Sequence, residues 1–445
     1  MNTRTFFRPI SLLFLLCALA APAQAQDENN ESPGIWKKFS GAFDGYIENN
    51  TAYRIAEPTG FTKVKNSLDL KFNQNFGDVV NLKLDLLGVY DAIYDLDDDL
   101  AVEDEEDYRA YVDPREVTLN LSFQKFEMRL GRQIVNWEKT DSLRVLDAVN
   151  PLDLQEFIFA DLADIRIPLW MGNFEYYFTP DYSLQFLLIP DMTFTELAHT
   201  GSEFELARAA VPAGLTLNVA DEETPPVQVG NTEYGLRFQG VTGGWDFSLN
   251  YLYSWNDQPF KKKTLNASTS TLTVTPAHAR VNIVGGSVVN VFFGTVVRFE
   301  LAAKIGERFS VDDPTVKEMV VDKTDVEYAL AFERDFWDMS WLLQAYQKYI
   351  LDYEEMITPD DEVTTLFTLR VAKDLNQEET LKTEIRAEYR ANDGDYHINP
   401  KLEYAITDAW KTTFGFDIIG GGDDDSFYGQ FDEKDRVYAE LRYSF

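Results

Sequence analysis

The chain closes on RVYAELRYSF, residues 436–445. Val437, Ala439, Leu441, Tyr443 and Phe445 fall on one face of an extended chain, and Tyr438, Glu440, Arg442 and Ser444 on the other. Strict alternation over nine positions is the period of a pleated strand with one apolar and one polar face. The apolar face could be covered by a second sheet, as in a soluble sandwich, or turned toward lipid. Period two alone does not separate these cases.

The same alternation recurs through the chain. Lys65, Ser67, Asp69, Lys71 and Asn73 oppose Val64, Leu68, Leu70 and Phe72, and Asn81, Lys83 and Asp85 oppose Val80, Leu82, Leu84 and Leu86. Glu116, Thr118, Asn120 and Ser122 alternate with Val117, Leu119 and Leu121; Lys382, Glu384, Arg386, Glu388 and Arg390 alternate with Leu381, Thr383, Ile385, Ala387 and Tyr389. Tight turns are expected at 76–78, 123–125, 179–181, 242–244, 292–294, 335–338, 374–377 and 407–410. Eight turns imply eighteen strands; those at Phe292 and Thr407 carry the weakest punctuation, and losing one gives sixteen. No stretch approaches the run of about 18 apolar residues that a transmembrane helix needs, although 45% of residues are hydrophobic. A membrane-spanning chain without such helices must close into a barrel, because lipid offers no partner to an open sheet edge.

The first residues point to export. Arg4 and Arg8 precede an apolar run from Ile10 to Ala20, and Ala23-Gln24-Ala25 supplies a small-x-small cleavage site. That is a secretory signal peptide, residues 1–25, too short in its core to span a bilayer as a helix. Cys17, the one cysteine, lies inside it, so the mature chain from 26 to 445 holds no disulfide. The terminal strand resembles the last strand of bacterial outer-membrane barrels, and the resemblance implies that Leu441, Tyr443 and Phe445 are a signal for the barrel-assembly machinery. Strand number, signal peptide and terminal Phe together predict an all-β fold: a transmembrane antiparallel up-and-down barrel of about 18 strands, 16 being possible, in the outer membrane of a Gram-negative bacterium. Aromatics, 14% of the chain, suit its interfacial girdles.

Formal net charge is -35, which excludes nucleic acid as a partner. The acid is clustered at 95–107, 352–362 and 423–425. These clusters read as solvated loops, or as sites for divalent cations shared with lipopolysaccharide, or as a cation funnel. Lys261, Lys262 and Lys263 make a small basic patch in a loop at 256–279, where lipopolysaccharide contact is the minority reading. A second long loop spans 191–230, and Glu203 to Ala210 within it could form a short helix. Charged rungs facing the lumen could select ions or brace the wall by pairing across strands.

Between Arg129 and Trp170 the alternation stops. The run GRQIVNWEKTDSLRVLDAVNPLDLQEF, residues 131–157, resembles the Gly-Arg-Gln, Trp, Asn-Pro-x-Asp pattern of a proteobacterial outer-membrane porin-like β-barrel family catalogued as a domain of unknown function, and more distantly alginate-export barrels. The resemblance implies a porin-like barrel and, as a partner, an inner-membrane exporter. Glu138 departs from it, standing where glycine is expected after the tryptophan. A loop of this length rich in apolar residues is expected to be ordered. We expect residues 136–165 to fold inward as a constriction, with Arg132, Trp137, Asp141, Arg144, Asp147, Asn150 and Asp153 at it and Lys382, Glu384 and Arg386 lining the pore. The competing reading is a structural plug whose charges satisfy only one another.

No Gly-x-Ser-x-Gly elbow or metal-spaced histidine pair occurs, and His199, His278 and His397 are the only histidines. We therefore expect no enzymatic activity and no cofactor. The function expected is a channel for small solutes or one dedicated substrate. The alternatives are an outer-membrane partner of an exporter or uptake system for a lipid-like compound, and a structural barrel binding calcium and lipopolysaccharide.

Overall fold

In a computed structural model, residues 43–97, 100, 102–157, 162–206, 214–423 and 426–445 are described. The expected signal peptide and parts of the first and third acidic clusters lie outside them. In chain order the strands are β1 (Phe43–Arg54), β2 (Gly60–Phe76), β3 (Val80–Asp91), β4 (Ala110–Ser122), β5 (Phe126–Gln133), β6 (Asp153–Leu154), β7 (Leu169–Thr179), β8 (Tyr182–Ile189), β9 (Glu196–Leu197), β10 (Thr216–Val219), β11 (Glu233–Thr242) and β12 (Trp245–Trp255). There follow β13 (Phe260–Asn266), β14 (Thr271–Ala277), β15 (Arg280–Phe292), β16 (Thr295–Ser310), β17 (Val320–Phe336), β18 (Met339–Ile350), β19 (Val363–Asp374), β20 (Leu381–Arg390), β21 (Asp395–Ala405), β22 (Trp410–Gly420) and β23 (Arg436–Ser444). All but β6, β9, β10, β13 and β14 belong to one 18-stranded antiparallel sheet.

The sheet closes where β23 pairs with β1, Arg442 opposite Glu48. Gly45 and Phe445 exchange backbone hydrogen bonds of 3.1 and 3.0 Å there, so the last residue is stitched to the first strand and no edge remains. The eight tight turns fall where the alternation breaks, and both ends of the sheet lie on the turn side. Among the described residues no helix is long and apolar enough to cross a membrane.

Alternation decides which face each residue takes. Ile385, Tyr389, Leu402, Phe414, Phe416 and Leu441 point outward and are exposed, as a lipid-facing band requires. On the same strands Glu384, Lys401, Asp417 and Arg436 point inward and are held by one another. On these strands the wall is apolar outside and polar inside, and the 18-stranded sheet closes on itself instead of facing a second large sheet, which rules out the sandwich.

The segment expected to form a helix from Glu203 shows turn and bend, not helix, at 201–204 and no regular element at 205–206; residues 207–210 lie outside the described set. The loop at 256–279 carries its own hairpin, β13 and β14, extended by β10 into a small sheet. Two of its three lysines are engaged in ion pairs: Lys262 pairs with Glu223, and Lys263 with Asp312 at 2.5 Å.

Candidate functional site: an eccentric lumen

Residues 134–157 and 162–168 do not arch over the barrel; they fold into it. The neck is built by the motif residues. Gly131, near the end of β5, has φ +130°, and a Cβ there would lie 2.0 Å from the Val117 carbonyl oxygen; only glycine fits. Arg132 then donates to the carbonyls of Pro114 (2.6 Å) and Pro168 (3.2 Å) and pairs with Asp113. Gln133 donates to the carbonyls of Arg129 (3.0 Å) and Met171 (3.2 Å). Asn150 accepts the Val135 N–H at 2.8 Å and donates to the Ile167 carbonyl at 2.9 Å and that of Gln133 at 3.3 Å. One buried amide thus ties the entering strand to the leaving one.

Beyond the neck the loop makes its own compact turn. Arg144, at φ +55°, donates to the Asp147 and Asn150 carbonyls at 2.7 and 2.8 Å, and the Asp147 carboxylate takes Arg166 at 2.9 Å and Arg144 at 3.3 Å. Trp137 donates to Gln185 on β8 at 2.7 Å. The tip reaches the far wall: Asp141 exchanges hydrogen bonds of 2.9 and 2.7 Å with the Gln344 amide on β18 and pairs with Arg370 on β19 at 3.5 Å. Lys139 pairs with Asp246 on β12 at 2.8 Å.

These polar ties frame an apolar core. Val135, Trp137, Leu143, Val145, Leu146 and Val149 pack against inward-facing Met171, Leu187, Ile189, Leu252, Ile283, Ala302 and Ala329. Water is excluded from that side of the bore by the same burial that holds a soluble domain together.

A cavity of about 420 Å³ lies displaced to the opposite side, against β20–β23 and β1–β4. Its basic lining is Lys63, Lys65, Arg115, Arg132, Arg166, Arg386, Lys401, Lys411, Arg436 and Arg442; its acidic lining is Glu48, Asp91, Asp113, Asp153, Glu156, Asp164, Glu196, Glu203, Glu403 and Glu440. The two sets match in number, so the acidic excess of the chain is not the character of its lumen. Tyr46, Tyr94, Tyr108, Tyr111 and Tyr438 add amphipathic rings.

Ion pairs hold this lining in place. Glu156, from the inward loop, sits between Lys63 (2.6 Å) and Lys65 of β2. Burial alone would raise its pKa, and the two ammonium groups outweigh that and hold it well below the usual glutamate range. Arg436 meets Asp417 at 2.7 Å, with His397 on the same carboxylate at 3.0 Å; Arg442 meets Glu48 at 2.6 Å.

Over the mouth, three loops converge. Phe157 lies 5.0 Å from Phe427 and 4.7 Å from Phe431, and Phe204 lies 5.9 Å from Phe431, all ring to ring. Arg54 and Lys434 hold Glu203 at 2.8 and 3.6 Å beside them.

Of the residues singled out from sequence, Arg132, Asp153 and Arg386 border the cavity. Trp137, Asp147 and Asn150 are buried within the loop, while Asp141 and Arg144 serve its tip and turn. Glu384 lies behind the lining, paired with Arg386 at 2.8 Å and Lys401 at 3.2 Å; Lys382 is exposed near the turn end of β20. Sequence reasoning missed Glu156, Lys63, Lys401 and Arg436 as lining residues. Inward parity on their strands marks the last three, and nothing local marks Glu156. His278 stacks on Phe194 at 3.7 Å between centroids and meets Glu222 at 2.5 Å. Among the described residues no group of three or more His, Cys, Asp or Glu is arranged to hold a metal.

The fold has solved counterparts. The outer membrane protein OpdK from Pseudomonas aeruginosa matches over 91% of this chain and 98% of its own, with TM-score 0.51 and 9% identity. Pseudomonas aeruginosa OccK2 (OpdF), solved in complex with glucuronate, matches over 91% and 97%, with TM-score 0.53 and 9% identity. Acinetobacter baumannii OccAB1 matches over 94% and 99%, with TM-score 0.53 and 9% identity. At such identity the likeness is one of fold. No curated protein sequence matches the chain. The family profile described as "Protein of unknown function (DUF1302)" matches residues 8–349, and the chain, a porin-like β-barrel, belongs to that family.

Proposed function

We propose that the protein is an outer-membrane channel whose solutes pass through the eccentric cavity between the inward loop and strands β20–β23 and β1–β4. The observation that carries this reading is a cavity of about 420 Å³, lined by charges of both signs, inside a closed barrel. Passage needs binding weak enough to release, and a lining of paired charges offers many exchangeable partners and no deep trap. The family membership and the fold shared with OpdK support it. OccK2 was solved with glucuronate, a small polar carboxylate, and solutes of that size suit the cavity here.

The inward loop acts as the constriction through its placement, while its buried residues, Trp137, Asp147 and Asn150 among them, set its shape. The outward Leu441, Tyr443 and exposed Phe445 are the surface offered to the assembly machinery. Lipid and lipopolysaccharide are the surrounding partners.

The test is single-channel conductance of the refolded mature protein in planar bilayers under a salt gradient. Arg442→Glu and Lys401→Glu, which alter the lining and not the loop, should shift the reversal potential toward cations, with conductance retained. A silent bilayer from folded, inserted protein would refute an open channel. The aromatic closure by Phe157, Phe204 and Phe431 favours a second reading, a gated passage for an amphipathic or lipid-like compound working with an exporter or uptake system. Flux appearing only after Phe431→Ala would support it.

A further inference from the structure

The tip of the inward loop meets the wall through carboxyl groups that lack protons for their contacts. Glu138 accepts the backbone N–H groups of Val145 and Leu146, each at 3.2 Å, and of Asp147 at 2.9 Å. Glu300, fully buried on β16, accepts the Lys139 N–H. Thr140 lies between them, its Oγ1 at 2.5 Å from Glu138 Oε1 and 2.9 Å from Glu300 Oε2. A hydroxyl has one proton to give. With both glutamates ionised, only one of these two contacts has a proton; the other sets lone pair against lone pair beside the fully buried Glu300. One carboxyl proton satisfies a second contact.

The surrounding charges leave that proton needed. Among the described residues neither glutamate has an ion-pair partner. Lys139 is committed to Asp246 of β12, Arg298 of β16 to Glu333, and Arg370 of β19 to Asp141 and Glu333. Asp147 faces Glu138 as a further negative charge, held by Arg144 and Arg166. Arg237 of β11 is the cation that faces Glu300, and it is shared with Asp246 and Glu175.

We propose that Glu138 and Glu300 share one proton and so form a latch pinning the loop tip to β16, released at alkaline pH when that proton is lost. Burial first, and then the Glu300 carboxyl, push Glu138 well above the usual carboxylate range. The consequence for flux rests on the channel reading; the latch itself is read without flux.

Infrared difference spectra of the refolded mature protein, taken from about pH 4 to about pH 9, test it. Wild type should keep a protonated carboxyl band above the ordinary glutamate range, and that band should be lost in both Glu138→Gln and Glu300→Gln. Over the transition, amide exchange at residues 139–147, corrected for its intrinsic rate, should accelerate at least about tenfold in wild type and not in Glu138→Gln. Thr140→Val, which removes the bridging hydroxyl and keeps the shape, should shift the transition if either glutamine variant fails to fold. A band unchanged in both glutamine variants overturns the shared proton, and a band that titrates while residues 139–147 stay protected overturns the latch. A silent bilayer beside both expected results would fail the channel reading alone.

Discussion

Replacing Glu156 by glutamine removes the one anion among the described residues that ion-pairs with both Lys63 and Lys65. A charge-assisted hydrogen bond contributes about 1.5–3 kcal/mol net, and breaking a buried ion pair costs about 3–5 kcal/mol. The Glu156 side chain is 24% exposed and those of Lys63 and Lys65 10% and 27%, so cavity water softens the loss, and we expect about 3 kcal/mol for undocking the loop from β2. At about 1.4 kcal/mol per decade, that raises the opening equilibrium on the order of 100-fold. Hydrogen exchange followed at residues 152–157 reads this directly, with strand amides of β2 as the unchanged reference. The pH dependence follows from the depressed pKa of Glu156. A carboxyl whose folded pKa lies below its unfolded value stabilises above the unfolded value, about pH 4.3, and ceases to do so as pH falls through the folded one. The gap between variant and wild type should therefore be constant at neutral pH and close only in strong acid. Exchange altered by less than about threefold at neutral pH would refute the view that this triad docks the loop.

Other perturbations separate the remaining parts. Gly131→Ala should destabilise by about 3 kcal/mol in urea unfolding from micelles, because a Cβ would meet the Val117 carbonyl oxygen at 2.0 Å and φ is +130°; wild-type stability would disprove the bend. Phe293 is 97% exposed at a two-residue turn with φ +51°, so Phe293→Asn should stabilise by about 0.5–1 kcal/mol in the same assay. Burial pushes Asp257, in the loop after β12, up to about 7. A carboxyl with a raised folded pKa loses its stabilising contribution as pH rises through that value, so Asp257→Asn should flatten the decline in stability between about pH 4 and pH 7 seen by denaturant titration.

The wall was legible in the sequence because each strand answers to a local rule. Val437 to Phe445 reads as a two-faced strand from its spacing; strand number, signal peptide and terminal Phe turn its apolar row toward lipid, and the turns at Gly77, Gly243 and Gly294 fall where that spacing breaks. The loop was legible only as a place. Its residues were named for charge and aromaticity, and several are turned inward to the loop itself: Asn150 satisfies backbone at both ends of the neck, and Trp137 fills a core. Glu156 and Glu300 could not be paired with Lys63 and Glu138 from sequence, since the partners are 93 and 162 positions away and meet only once the barrel has closed. The glutamate at 138, a departure from the family pattern, accepts three backbone N–H groups in a turn whose form the sequence left open.

The asymmetry of the bore divides the inward-facing positions into two populations with different evolutionary freedom. On β7 to β17, around Leu187, Leu252 and Ala302, an inward side chain touches the loop core, and a change in its volume is felt by the whole plug. On β20 to β23 and β1 to β4 an inward side chain borders the cavity, where, apart from ion-paired anchors such as Lys63, Lys65 and Arg436, size and charge can drift at lower cost to folding. On the channel reading, solute preference can therefore diversify along one arc of the wall while the other arc stays under the constraints of a globular interior. In such a barrel, relatives should vary most at positions equivalent to Lys401, Lys411 and Arg442, and least at those equivalent to Leu187 and Ala302.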